Sequence, residues 1–256
     1  MGSRNKESDR YLFVKTGPAS AFDMFDAEAE GLRELAATKA IRVPEVIEVT
    51  VAGDEARIVL ERIEFEKTTT EIERLLGEQL AAVHRCSAED FGWHRDNTIG
   101  LTPQPNTQAK DWISFFREQR LEFQLKLAAS NGYSGELASL GRKLVDKLPD
   151  FFDAYDPVPS LLHGDLWGGN WGAVDGQPII FDPAVYYGDR ESDIAMTKLF
   201  GGFGPAFYEA YETAWPLAAG SEARLKLYQL YHVLNHLNLF GGGYLRQATA
   251  LMRALL

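Results

Sequence analysis

Residues 171–183, WGAVDGQPIIFDP, place two apolar runs on either side of Asp175-Gly176. An Asp-Gly pair accepts positive φ at both central positions of a tight turn and is favoured in two-residue hairpin loops. A hairpin closed by that turn has its register fixed by the turn itself. Asn170 then faces Phe181 and lies beside Asp182, so two oxygen-bearing side chains distant in sequence meet at one strand end.

The stretch just before, HGDLWGGN at 163–170, packs a histidine, an aspartate and an asparagine among three glycines. Magnesium takes oxygen ligands and leaves its other positions to waters or substrate phosphates. The arrangement therefore points to phosphoryl transfer, with Asp165 accepting a hydroxyl proton while Asn170 and Asp182 hold Mg²⁺ under a nucleotide. The Asp-x-x-x-x-Asn spacing is that of a kinase catalytic loop. Taken singly, each residue also fits a turn or a strand-ending cap; the three together, joined by an Asp-Gly hairpin, are the specific signal. His163 is expected to orient the loop by hydrogen bonds.

The rest of the chain divides by periodicity. YLFVK (11–15) is a short β-type run, and Phe22, Phe25, Ala29, Leu32 and Leu35 recur at helical spacing. VPEVIEV and ARIVLERI read as two strands joined at AGDE. From Thr70 onward the pattern is helical, with helices predicted over 109–130, 134–148, 191–200, 205–215, 221–240 and near the C-terminus. DNTIGLTPQPN (96–106) reads as a loop, because two prolines and a glycine preclude a regular helix. The predicted class is α+β, with a small sheet-containing part over 1–62 and a mostly helical part over 63–256, and a chain of this length could form one domain or two unequal lobes around a cleft.

A kinase also needs a strand lysine reaching the nucleotide phosphates, held by a helix glutamate. Lys15 ends the first strand, and the following helix offers Glu28 and Glu30.

Charge narrows the partners. With 37 acidic against 26 basic residues and a net charge of −11, the chain lacks the concentrated positive surface that phosphate-backbone binding requires. Nucleic acid is not expected as a partner. The single cysteine, Cys86, permits no intramolecular disulfide and fits a reducing compartment. No stretch approaches the ~18 uninterrupted apolar residues of a membrane span, and the polar start MGSRNKESDR has no signal-peptide core. The expectation is a soluble, cytoplasmic protein.

HGDLWGGN, IIFDPAVYYGDRESDIAMTKLFGGF, GLTPQPN, FFREQRL and NLFGGGYL together resemble the fructosamine kinase (ketosamine 3-kinase) family, within the protein-kinase-like superfamily that includes aminoglycoside phosphotransferases. The resemblance runs from about residue 11 to the C-terminus. It implies a bilobal kinase fold and ATP-dependent phosphorylation of the sugar O3' hydroxyl of ketosamines, small or carried on glycated protein lysines. Such 3-phosphates are unstable and release the free amine, a deglycation. By position, Asp165 matches the catalytic base, Asn170 and Asp182 the metal ligands, Lys15 the nucleotide lysine and Glu28 its helix partner. LERI at 60–63 matches the hinge that receives adenine through backbone groups, which singles out Glu61 and Ile63. Trp167 is placed to pack against a sugar or against its own loop. Within the GDRExD run, Asp193 is expected to brace the catalytic loop, and Asp189, Arg190 and Glu191 to line the substrate pocket.

Members of that family carry a helix, a strand and a glycine-containing loop ahead of the lysine strand. Here 14 residues precede Lys15, with Gly2 their single glycine. The resemblance therefore implies a missing or shortened phosphate cover and weakened ATP binding. Two rival readings follow: a kinase of the same fold acting on an aminoglycoside or choline, and a non-catalytic nucleotide-binding protein.

Overall fold

The computed structural model describes residues 12–256. The readings that fall on 1–11, the missing or shortened phosphate cover and Tyr11 of the first strand, lie outside the described residues. The chain opens on strand β1 (Leu12–Pro18), helix α1 (Phe22–Ala37) and strands β2 (Val46–Ala52) and β3 (Glu55–Glu61). The three strands form one antiparallel sheet in the order β1-β3-β2. Its central strand, β3, buries Ala56, Ile58 and Leu60, while α1 buries Phe25, Ala29, Leu32 and Leu35, the stripe predicted from helical spacing. The β2–β3 turn falls at Gly53-Asp54 as read, with Gly53 at φ 60°. β1 runs three residues past the predicted YLFVK because Thr16, Gly17 and Pro18 continue the ladder against Arg57, Ala56 and Glu55.

Beyond the sheet the chain is mostly helical. Helix α2 (Thr70–His84) starts where Thr69 accepts from the Ile72 N–H (3.3 Å). It packs along α7 (Pro205–Ala214), and Gly77 permits the approach, since a Cβ there would lie 2.3 Å from the Phe207 carbonyl oxygen. The predicted helix over 109–130 is α3 (Trp112–Phe115), a π-helical turn (Phe116–Leu121) and α4 (Glu122–Ser130). Helices α5 (Glu136–Lys147), α6 (Glu191–Leu199), α8 (Ser221–Phe240) and α9 (Leu245–Leu255) fall on the other helical runs. Among the described residues no helix is long and apolar enough to cross a membrane.

Three short antiparallel pairs interrupt these helices. β4 (Asn97–Ile99) and β5 (Thr102–Gln104) form a hairpin inside DNTIGLTPQPN, read from sequence as a loop. Pro103 removes one donor, but a three-residue ribbon needs few ladder bonds, and Gly100 turns the chain at φ 59°. β6 (Ser160–Leu162) pairs with β9 (Tyr186–Gly188), also unpredicted, since three fully buried residues carry no period. β7 (Trp171–Val174) and β8 (Gln177–Ile180) make the predicted Asp-Gly hairpin. Trp171 pairs with Ile180 and Val174 with Gln177, and Asp175 and Gly176 sit at φ 52° and 72°.

Candidate active site

The hairpin ladder continues one step past β7 and β8: Phe181 N–H donates to Asn170 C=O (3.0 Å). Asn170 and Asp182 thus sit together at the open end, as the register requires. Asn170 Nδ2 donates to the Asp165 carbonyl (2.9 Å), which leaves its Oδ1 as the free acceptor of the amide. Asp182 has φ 56°, a left-handed conformation uncommon for a residue with a Cβ, and Pro183 follows it. That backbone presents its carboxylate to Lys15, whose Nζ lies 2.6 Å from Asp182 Oδ1 and 2.8 Å from Glu28 Oε1. Burial pulls the Lys15 ammonium down, but Glu28 and then Asp182 outweigh it and hold the group protonated above its ordinary range. Glu30, the other helix candidate, turns away to His94 and Arg95.

Asp165 faces the same cleft. Burial first, then the negative charges of Asp193 and Asp182, push its carboxyl up to about 7. A carboxylate poised near neutrality is what a general base needs. His163 fixes its backbone: His163 Nδ1 accepts from the Asp165 N–H (3.2 Å), so Nε2 carries the proton and donates to Phe181 C=O (3.0 Å). Burial lowers the His163 pKa and keeps the imidazole neutral. One ring thereby ties the loop to the hairpin.

Asp193 lies beneath. Its carboxylate accepts from the backbone N–H of His163 (2.7 Å) and Gly164 (2.9 Å) and from His84 Nε2 (3.2 Å). Burial raises this carboxyl, but the donors around it, His84 foremost, more than reverse the effect. His84 Nδ1 in turn meets Tyr211 Oη (2.8 Å). His84 is a supporting residue that sequence reasoning missed, since its partner lies far along the chain on another helix. Gly164 is held at φ 83°, and a Cβ there would lie 2.0 Å from the Ala184 carbonyl oxygen. Gly164→Ala is therefore expected to lose about 2–4 kcal/mol of stability, combining strain with a backbone clash, as read by denaturant unfolding.

Asp189, Arg190 and Glu191, expected to line the substrate pocket, do not. All three are buried within the helical region. Asp189 accepts from Tyr155 Oη (2.8 Å) and from Tyr228 Oη. Arg190 donates to the carbonyls of Trp215 (3.0 Å) and Pro216 (2.6 Å) and to Tyr211 Oη (3.0 Å). Glu191 makes a two-pronged pair with Arg224 (2.8 and 2.9 Å). Their charges are satisfied inside the fold, as buried charges must be, and they support the segment carrying Asp193.

Two cavities meet at Asp182. One, of about 330 Å³, is lined by Lys15, Glu28, Asp165, Asn170 and Asp182 together with Asn97, Thr98 and Leu101 of the β4–β5 hairpin. Trp167 stands at its mouth, 41% exposed, with its indole over Gly169. The other, of about 500 Å³, is an apolar slot between β1 and the end of β3, bounded by Leu12, Val14, Leu60, Phe65 and Phe181 and reaching Glu61 and Ile63. The Glu61 side chain is held by Arg42 (2.8 Å) and its N–H donates to Glu45 C=O (2.8 Å), so only its carbonyl can serve a ligand in the slot.

The profile of the fructosamine kinase family matches residues 2–256. A probable ketoamine kinase of Synechocystis is 44% identical over 253 residues, covering 98% of this chain and 84% of that protein. The chloroplastic protein-ribulosamine 3-kinase of Arabidopsis thaliana is 42% identical over 248 residues, covering 94% of this chain and 74% of that protein. Among solved structures, one assigned to the fructosamine-3-kinases, from Haemophilus somnus, superposes with a TM-score of 0.88 at 32% identity, over 96% of this chain and 83% of that one. The aminoglycoside phosphotransferase APH(4)-Ia shares the fold alone, with a TM-score of 0.63 at 17% identity over 95% of this chain and 86% of that one. The α+β architecture is that of the protein-kinase-like fold, and the chain belongs to the fructosamine kinase family.

Proposed function

We propose that this kinase uses ATP to phosphorylate the O3' hydroxyl of ketosamines, the sugar adducts of small amines or of protein lysines, and so starts their breakdown to the free amine. The observation that carries the reading is Asp165, a carboxylate tuned to about 7, opening into the same cavity as Asn170, Asp182 and Lys15. In this reading residues 1–62 and 63–256 act as two lobes, with adenine in the apolar slot against the Glu61 carbonyl and the Ile63 N–H. Lys15 would move from Asp182 to the phosphates as they enter.

The donor set suits magnesium. Among the described residues no three His, Cys, Asp or Glu cluster to hold a metal by themselves. Asn170 Oδ1 and the Asp182 carboxylate offer two oxygen ligands beside a site for phosphates, the incomplete protein shell that Mg²⁺ prefers. Bound there, the ion would neutralise phosphate charge. Asp165 takes the proton of O3'–H as the new O3'–Pγ bond forms. The bond from Pγ to its bridging oxygen breaks, and ADP leaves with that electron pair. Lys15 holds the phosphates in line, and Trp167 covers one side of the acceptor.

The acceptor wall separates this reading from the aminoglycoside or choline alternative. An aminoglycoside, with several ammonium groups, calls for more carboxylates than a ketosamine with its single protonated amine, and the cavity's carboxylates are Glu28, Asp165 and Asp182, already paired or assigned to the base and metal. Its remaining lining is neutral, which suits a polyhydroxy sugar. Fructosamine, ribulosamine and erythrulosamine adducts, assayed against kanamycin and choline for ATP consumption, test the reading. Turnover of at least one ketosamine with kcat/KM at least tenfold above kanamycin and choline is expected. Preference for kanamycin or choline would overturn it, and no turnover of any acceptor would favour a non-catalytic nucleotide-binding role.

A further inference from the structure

We propose that Thr98 determines acceptor specificity by hydrogen-bonding the ketose hydroxyl next to the one phosphorylated; the inference rests on the ketosamine reading above. The β4–β5 hairpin has two faces because strand side chains alternate. Asn97, Ile99, Thr102 and Gln104 are its inner set. Asn97 Nδ2 donates to Val185 C=O (2.8 Å), and Gln104 Nε2 donates to Ala184 C=O (3.1 Å) and to Asn97 Oδ1 (2.8 Å). These bonds tie the hairpin to the two residues that follow Asp182-Pro183.

The tie is reinforced from behind. Asn106 Nδ2 donates to Asn97 Oδ1 (2.9 Å), and Asn106 Oδ1 accepts from Arg120 Nη2 (2.7 Å). Arg120 is fully buried on the π-helical turn and also donates to Pro105 C=O (2.6 Å). Tyr231 Oη donates to Gln104 Oε1 (2.8 Å). Several mutually supporting hydrogen bonds hold the hairpin from behind, so it is a preorganised wall.

The outer face carries Thr98, paired across the ladder with Pro103, whose ring offers no hydrogen-bonding group. Thr98 lines the cavity with Asp165, and its hydroxyl makes no hydrogen bond among the described residues. Asn97, which lines the same cavity, is engaged by Val185, Gln104 and Asn106, whereas the Thr98 hydroxyl is a neutral donor and acceptor that neither the base, the metal, the lysine pair nor the hairpin tie uses. A neutral hydroxyl on a fixed wall of the cavity into which the base opens can select the acceptor by the hydroxyl beside the one that reacts. A neutral hydrogen bond of this kind is worth roughly fivefold to tenfold in acceptor affinity.

The test compares wild-type protein with Thr98→Val, which keeps the shape, and Thr98→Ser, which keeps the hydroxyl. Each is assayed with a fructosamine and its 4-deoxy analogue. Thr98→Val is expected to raise KM for the fructosamine about fivefold to tenfold, with kcat within about twofold and Mg-ATP affinity unchanged. Thr98→Ser should restore KM, and the 4-deoxy analogue should be indifferent to either change. An unchanged KM in Thr98→Val, or an equal penalty with the 4-deoxy analogue, overturns the inference while leaving the ketosamine activity standing. Parallel losses of kcat and Mg-ATP affinity would show the residue to be structural and also overturn it. Absence of ketosamine turnover by the wild-type chain would overturn both readings.

Discussion

Asp165→Asn is expected to be inactive and, above neutral pH without metal, more stable than the wild-type protein. The kinetic half follows from removing the proton acceptor: general-base contributions are ~10²–10⁴-fold in kcat, while Mg-ATP binding, made by other residues, should hold. The stability half follows from linkage. The Asp165 carboxyl is raised from 3.8 to about 7, so the native protein keeps a proton there at pH values where the unfolded chain has lost it. Native stability therefore falls as pH rises through that window and levels off above about 7. Asparagine carries no such charge, so the advantage of Asp165→Asn should grow from about pH 4 to pH 7 and then stay constant. The full shift corresponds to about 4 kcal/mol; the carboxylate retains some solvent access, and about 2 kcal/mol is the expected plateau. Urea unfolding in EDTA at pH 5 and pH 8 reads the difference. Equal stabilities at pH 8, or kcat within tenfold of wild type, would mean that Asp165 is neither buried against like charge nor the base.

The meeting of Asn170 and Asp182 was legible from sequence, because one turn determined where the two side chains would sit. Asp175-Gly176 set the register, and the register placed Asn170 beside Asp182 before any tertiary contact was considered. Lys15 and the helix offering Glu28 and Glu30 were legible from a short strand followed at once by a helix with strong periodicity, while the choice of Glu28 came from the family resemblance. What sequence did not disclose depends on partners remote along the chain. Asp189, Arg190 and Glu191 look like exposed charges, and only the return of α8, with Arg224 and Tyr228, shows them to be interior. His84 reads as the end of an amphipathic helix until Asp193 arrives beneath it. The β4–β5 hairpin was hidden by Pro103 and the neighbouring Pro105, and with it one wall of the cavity that Asp165 lines. Local rules placed residues that lie near one another in sequence, and the long-range polar network that holds them had to be seen.

Asp182→Asn should largely abolish the metal dependence of nucleotide binding. In the ligand-free protein the Asp182 carboxylate is neutralised by Lys15 at 2.6 Å, with Glu28 sharing the same ammonium. When phosphates draw Lys15 away, Asp182 becomes a negative charge facing a polyanion, and only a cation between them makes the encounter favourable. The wild-type protein is therefore expected to bind ATP at least a hundredfold more tightly with Mg²⁺ than with EDTA, which is about 2.7 kcal/mol. Asparagine keeps the side-chain shape and tolerates the left-handed backbone at φ 56°, so the fold should survive the exchange. With the charge gone, Mg²⁺ loses its anionic protein ligand and the metal-free repulsion disappears as well. ATP affinity in EDTA should thus rise in Asp182→Asn while affinity in Mg²⁺ falls, bringing the two within about tenfold of each other. Calorimetric titration of both proteins under both conditions gives the four constants needed. A variant whose Mg²⁺ preference remains as large as that of the wild type would place the metal on other residues and remove Asp182 from the site.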